Sequence, residues 1–81
     1  LGGGQEGDEH QRIPRAQLFI HDHLADKLDL AMIARAVHLS KPQLTRVFKK
    51  ELGMTPMAYV WQRRVAAAVE MLKHSGLSIQ L

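Results

Sequence analysis

The residues best equipped for chemistry lie within one short stretch, Ser40 to Lys50. At about 100° per residue, Pro42, Gln43, Arg46, Lys49 and Lys50 fall on one side of a helix, with Thr45 at the edge. Leu44, Val47, Phe48 and Leu52 fall on the other side. Ammonium and guanidinium groups can meet phosphates, and Arg and Gln can meet base edges by hydrogen bonding. A greasy back would anchor such a helix while the basic front stayed exposed. This is the pattern of a DNA recognition helix.

The local sequence predicts a helix over 41–52 with firm ends. Ser40 is a natural N-cap, and Gln43 completes a capping box three residues on. Pro42 is tolerated because first-turn amides have no intrahelical acceptor. Gly53 supplies the left-handed residue that closes the helix. Just before it, Asp29 caps a shorter helix in which Leu30, Ile33, Ala34 and Val37 recur at helical spacing. His38-Leu39 forms the turn, and His enters the left-handed region more readily than most residues. Ala34 suits the place where the two helices approach closely. Helix, tight turn, helix is therefore expected over 29–52. The competing reading of the same pattern is an ordinary αα corner.

A first helix is expected from about 14 to 26, with Pro14 in its first turn. Thr55 and Pro56 open a fourth helix that runs to about Ser75, where Gly76 stops it. Ser78 resembles the cap of a fifth. Residues 1–12 are Gly-rich and acidic and read as a flexible linker or a cloning remnant. Residues 13–81 then form one module. No strand alternation appears, so the expected fold is an all-α, homeodomain-like small helical bundle with a long C-terminal helix. The chain starts at Leu1 and stops just after a fresh cap signal, which suggests a piece of something longer.

Charge sharpens the expectation. Residues 1–34 hold six acids (Glu6, Asp8, Glu9, Asp22, Asp26, Asp29) against three bases (Arg12, Arg15, Lys27). Residues 35–64 hold seven bases (Arg35, Lys41, Arg46, Lys49, Lys50, Arg63, Arg64) against Glu51 alone. A basic half of this kind favours a polyanionic partner, and charge alone leaves a merely solvated, soluble face as the competing reading. With 81 residues and no cysteine, the chain allows one small domain without disulfides or thiolate metal sites. The lack of cysteine is compatible with a cytoplasmic location. No apolar run approaches the ~20 residues of a membrane span.

Other chemistries find little support. His21 and His23 point about 200° apart on a helix, so they cannot share a metal. No Gly-rich phosphate loop or nucleophile–base pair is present, so neither an enzyme nor a cofactor is expected. Asp22 and Asp26 would lie on one helix face as a solvated acidic patch. Tyr59 and Trp61 could suggest a stacking platform for single strands, but at helical spacing they read as packing residues. Helix four carries Met57, Val60, Trp61, Val65, Ala66, Ala67, Ala68, Val69, Met71 and Leu72, too many for one stripe. It should have two partners, and only one would be the bundle of the first three helices.

At this point the sequence resembles a known family. Leu28 through Ser40 looks like the first helix-turn-helix of AraC/XylS-type transcription regulators. Leu44 through Gly53 is similar to the family's run through the recognition helix into its closing glycine. Thr55 to Val60, with Arg64, Val65, Ala68, Met71 and Leu72, resembles its long linker helix. Leu77-Ser78-Ile79 resembles the entry to a second helix-turn-helix. The departures are His38, where glycine is usual, and Pro42, where many relatives carry a side chain able to contact bases.

The resemblance implies a bacterial, cytoplasmic regulator that binds double-stranded DNA. Arg46 would be the main base-reading residue, with Gln43 and Thr45 secondary and Pro42 limited to apolar contact, for instance with a thymine methyl. Lys41, Lys49 and Lys50, and also Arg35, would contact phosphates. Arg63 and Arg64 stay open between the DNA backbone and pairing within the fold. A second helix-turn-helix module of the same parent chain would complete the domain, with RNA polymerase as a further candidate partner. The alternative is a helical protein–protein interaction module docking through helix 56–75.

Overall fold

The computed structural model describes the backbone of residues 4–74 and the side chains of residues 11–74. Four helices follow one another: α1 (Gly4–Asp22), α2 (Leu30–Ala36), α3 (Lys41–Leu52) and α4 (Pro56–His74). No strand occurs among the described residues, as expected for an all-α bundle. The expected fifth-helix cap at Ser78 and the stop at Gly76 lie outside the described residues.

The three later helices begin where their caps require. Asp29 accepts the Met32 amide at 2.9 Å. Ser40 and Gln43 form both halves of the capping box, at 3.2 Å and 3.0 Å. Thr55 accepts the Ala58 amide at 3.2 Å. The helix-turn-helix closes through His38, which takes φ 59°, and α3 ends at Gly53 with φ 74°. At both positions the left-handed conformation lets the chain reverse without extra residues.

α1 departs from expectation at both ends. It reaches back to Gly4, which leaves Pro14 inside the helix instead of in its first turn. A proline inside a helix removes one backbone bond. Here the helix continues because Ile13, Ala16 and Ile20, on both sides of the ring, are buried. α1 stops at Asp22: the His23 amide makes a last helical bond to the Phe19 carbonyl at 3.1 Å, and the chain then turns as the Asp26 amide bonds the His23 carbonyl at 2.9 Å. Asp26 therefore lies beyond α1. The expected shared helix face for Asp22 and Asp26 does not form.

The core is made by the first three helices. Ile13, Ala16 and Ile20 come from α1, and Ile33 and Ala34 come from α2. Leu28 and Val37 flank α2, and Leu44, Val47 and Phe48 form the back of α3. Ala34 is 4% exposed, in keeping with its role at the close approach of α2 and α3. From α4 only Pro56 and Val60 are buried. Burial of apolar surface thus holds α1–α3 together and pins α4 by its first turns alone.

Candidate nucleic-acid interface

The back of α3 disappears into the core, and this dictates what its front can do. Leu44 and Phe48 have no exposed surface, and Val47 has almost none. Lys41, Pro42, Gln43, Arg46, Lys49 and Lys50 are exposed, and Thr45 is half-buried at the edge. The expected site residues of α3 are therefore brought onto one surface. Lys49 and Lys50 occupy the last turn, where the helix dipole favours cations.

Gln43 closes the capping box that its position three residues after Ser40 predicts. Its Oε1 accepts the Ser40 amide at 3.0 Å as half of the capping box. A glutamine reads adenine by accepting and donating at once. One lone pair of the oxygen is engaged in the cap, so Gln43 offers an outside partner its NH₂ as donor and the second lone pair as acceptor.

Arg35 stands apart from the α3 group. It is exposed in the last turn of α2, bordering with Phe19, Met32 and Ala36 a shallow groove of about 270 Å³.

Arg64, left open by the sequence, pairs within the fold. Its Nε donates to the Leu24 carbonyl at 3.1 Å and its Nη2 to the Asp26 carbonyl at 2.6 Å. Arg63 is exposed. Sequence reasoning missed Arg12 altogether: from α1 its Nη1 reaches the carbonyl of His38, the turn residue, at 3.4 Å. The two are 26 residues apart, and no local pattern joins them.

The two aromatic residues of α4 part company. Tyr59 packs edge-on against Phe48, as expected of a packing residue. Trp61 is 69% exposed, so its expected packing role is not met within residues 11–74. The bundle is already filled by Pro56, Tyr59 and Val60 on the opposite side of the helix. Met57, Val65, Met71 and Leu72 are exposed with Trp61.

His23 takes part in the local turn, with Nδ1 2.9 Å from an Asp26 oxygen and its ring centroid 4.4 Å from that of Phe19. Among the described residues no group of three His, Cys, Asp or Glu could hold a metal ion, and no helix is long and apolar enough to cross a membrane.

Comparison with known proteins leads to the same surface. The family model for bacterial regulatory helix-turn-helix proteins of the AraC family matches residues 20–60. The Salmonella typhimurium regulatory protein PocR is 37% identical over 68 residues, which cover 84% of this chain and 22% of that protein. The arabinose operon regulatory protein of Escherichia coli is 32% identical over 69 residues, 84% of this chain and 24% of that protein. The Escherichia coli transcriptional activator RhaS is 33% identical over 61 residues, 75% of this chain and 22% of that protein. The chain spans between 22% and 24% of the length of these relatives. No solved structure matches it. The matched segment contains α2, the turn and α3: the chain belongs to the AraC family of bacterial regulatory helix-turn-helix proteins, and these elements are its helix-turn-helix.

Proposed function

We propose that this chain binds duplex DNA sequence-specifically by laying α3 in the major groove, as part of a cytoplasmic transcription regulator. The observation that carries the reading is the split of α3 into a fully buried apolar back and an exposed front bearing Lys41, Gln43, Arg46, Lys49 and Lys50. Arg46 reads a guanine edge bidentately. Gln43 and Thr45 add single hydrogen bonds, and Pro42 offers apolar contact only. Lys41, Lys49, Lys50 and Arg35 contact phosphates, which position the helix without specifying sequence. Neither catalysis nor a cofactor enters this mechanism.

Residues 13–81 act as the binding module, and residues 1–12 connect it to its surroundings. The exposed strip of Met57, Trp61, Val65 and Leu72 on α4 receives the second helix-turn-helix module of the parent protein. That module adds a second groove contact, and RNA polymerase is the partner of the assembled regulator. Alone, the present chain binds weakly and with little selectivity.

The test is an amide-resolved NMR titration with a mixed-sequence duplex at low salt. Shifts concentrated in residues 29–50 that vanish on adding salt support the reading. Shifts confined to α4, or none, overturn it and favour a helical protein-interaction module.

A further inference from the structure

We infer that Arg64 is the positioning residue that sets the direction in which α4 leaves the helix-turn-helix unit. α4 is pinned to the bundle at its start, where Pro56 and Val60 are buried and Tyr59 rests on Phe48. Beyond Val60 no side chain of α4 is buried: Trp61, Gln62, Arg63, Val65 and Ala68 are exposed, and Arg64, Ala66, Ala67 and Val69 are half-buried. A rigid rod held only at its root can pivot. A second attachment point further along removes that freedom.

Arg64 supplies this second point. It lies one turn beyond Val60, about 6 Å further along the axis at the usual rise per residue. Its guanidinium reaches the connection between α1 and α2, donating from Nε to the Leu24 carbonyl and from Nη2 to the Asp26 carbonyl. The planar fork engages two acceptors at once, so it fixes rotation as well as distance. The first of these bonds is partly buried, which shields it from competing water.

The receiving loop is itself braced. The His23 amide is tied to the Phe19 carbonyl, the Asp26 amide to the His23 carbonyl, and the His23 ring to the Asp26 carboxylate. The Phe19 ring lies against it, tilted by 38°. Arg64 therefore holds α4 to a preformed ledge. The description of α4 as a linker rests on the functional reading above, whereas its direction of exit does not.

The chain has no cysteine, so paired spin labels can be placed cleanly. With Ala36→Cys and Glu70→Cys labelled, pulsed EPR on the otherwise unaltered chain should give one narrow distance distribution. Arg64→Met keeps the stem but loses both bonds, and should raise the displaced population on the order of tenfold. Arg64→Lys, which lacks the fork, should broaden the distribution less. A thermal melt and a DNA titration run alongside separate the outcomes: broadening with retained folding and retained DNA shifts is the expected result. A distribution as narrow as the unsubstituted chain's in Arg64→Met, or in Arg64→Lys should the methionine variant not fold, overturns the inference. Absence of DNA shifts in the unsubstituted chain would sink the functional reading and leave the distance result standing.

Discussion

Tyr59 meets Phe48 edge-on, with ring centroids 5.9 Å apart and ring planes at 67°. The first turn of α4 thus rests on the back of the recognition helix, on the side opposite the basic front. Phe48 is fully buried and belongs to the central cluster, so one contact ties the core, α3 and α4 together.

Truncating this contact should be felt mainly as stability. Phe48→Ala should destabilise the chain by about 3–5 kcal/mol, the usual range for a buried aromatic. Tyr59→Leu keeps much of the apolar area and should lose only the edge-to-face term, about 0.5–1.5 kcal/mol. Urea midpoints measured at equal slope would check both. A small effect of Phe48→Ala would mean that the cluster is not the core.

The two left-handed residues should respond in opposite directions. His38 sits at φ 59° with a side chain that disfavours it, so His38→Gly should stabilise by about 1 kcal/mol. Gly53 sits at φ 74°, and a Cβ there would meet nothing within 4 Å. Gly53→Ala should therefore cost about 1 kcal/mol through backbone conformation alone, not through a clash. Thermal melts of the two single variants read this directly.

Gln43 offers a separation of folding from binding. In Gln43→Glu a carboxylate oxygen can still accept the Ser40 amide, so the capping box survives. The NH₂ donor is gone and a negative charge faces the phosphates. The melting temperature should hold while DNA affinity falls. Unchanged affinity would remove Gln43 from the interface.

Arg46 carries most of the expected base reading. Arg46→Ala should lose about 1–3 kcal/mol on a preferred site and relax selectivity at one base pair. Equal losses on every sequence, measured by competition titration, would reassign Arg46 to the phosphate backbone.

Salt should act on the lysines. With about three to five phosphates contacted, log affinity should fall with log salt at a slope of roughly −3 to −4. Lys49→Ala or Lys50→Ala should each make the slope shallower by about 1. A slope near zero would contradict groove binding by this face.

The caps and the buried face of α3, set by near neighbours in the chain, were readable in the sequence. Asp29, Ser40 and Thr55 each bond an amide three residues on, so their caps show as short-range spacing. The burial of Leu44, Val47 and Phe48 follows from helical periodicity, because one face of α3 is apolar and the other charged. Even the left-handed turn at His38 is a property of a residue type and its place between two helices.

The tertiary structure decided the rest, because the deciding partners are distant in sequence. α1 runs through Pro14, since packing of Ile13, Ala16 and Ile20 outweighs a local helix breaker. Arg64 faces carbonyls 40 and 38 residues away, and Arg12 reaches a turn 26 residues away. Backbone carbonyls leave no trace in the side-chain pattern, so only the folded chain reveals that Arg12 and Arg64 are engaged within it.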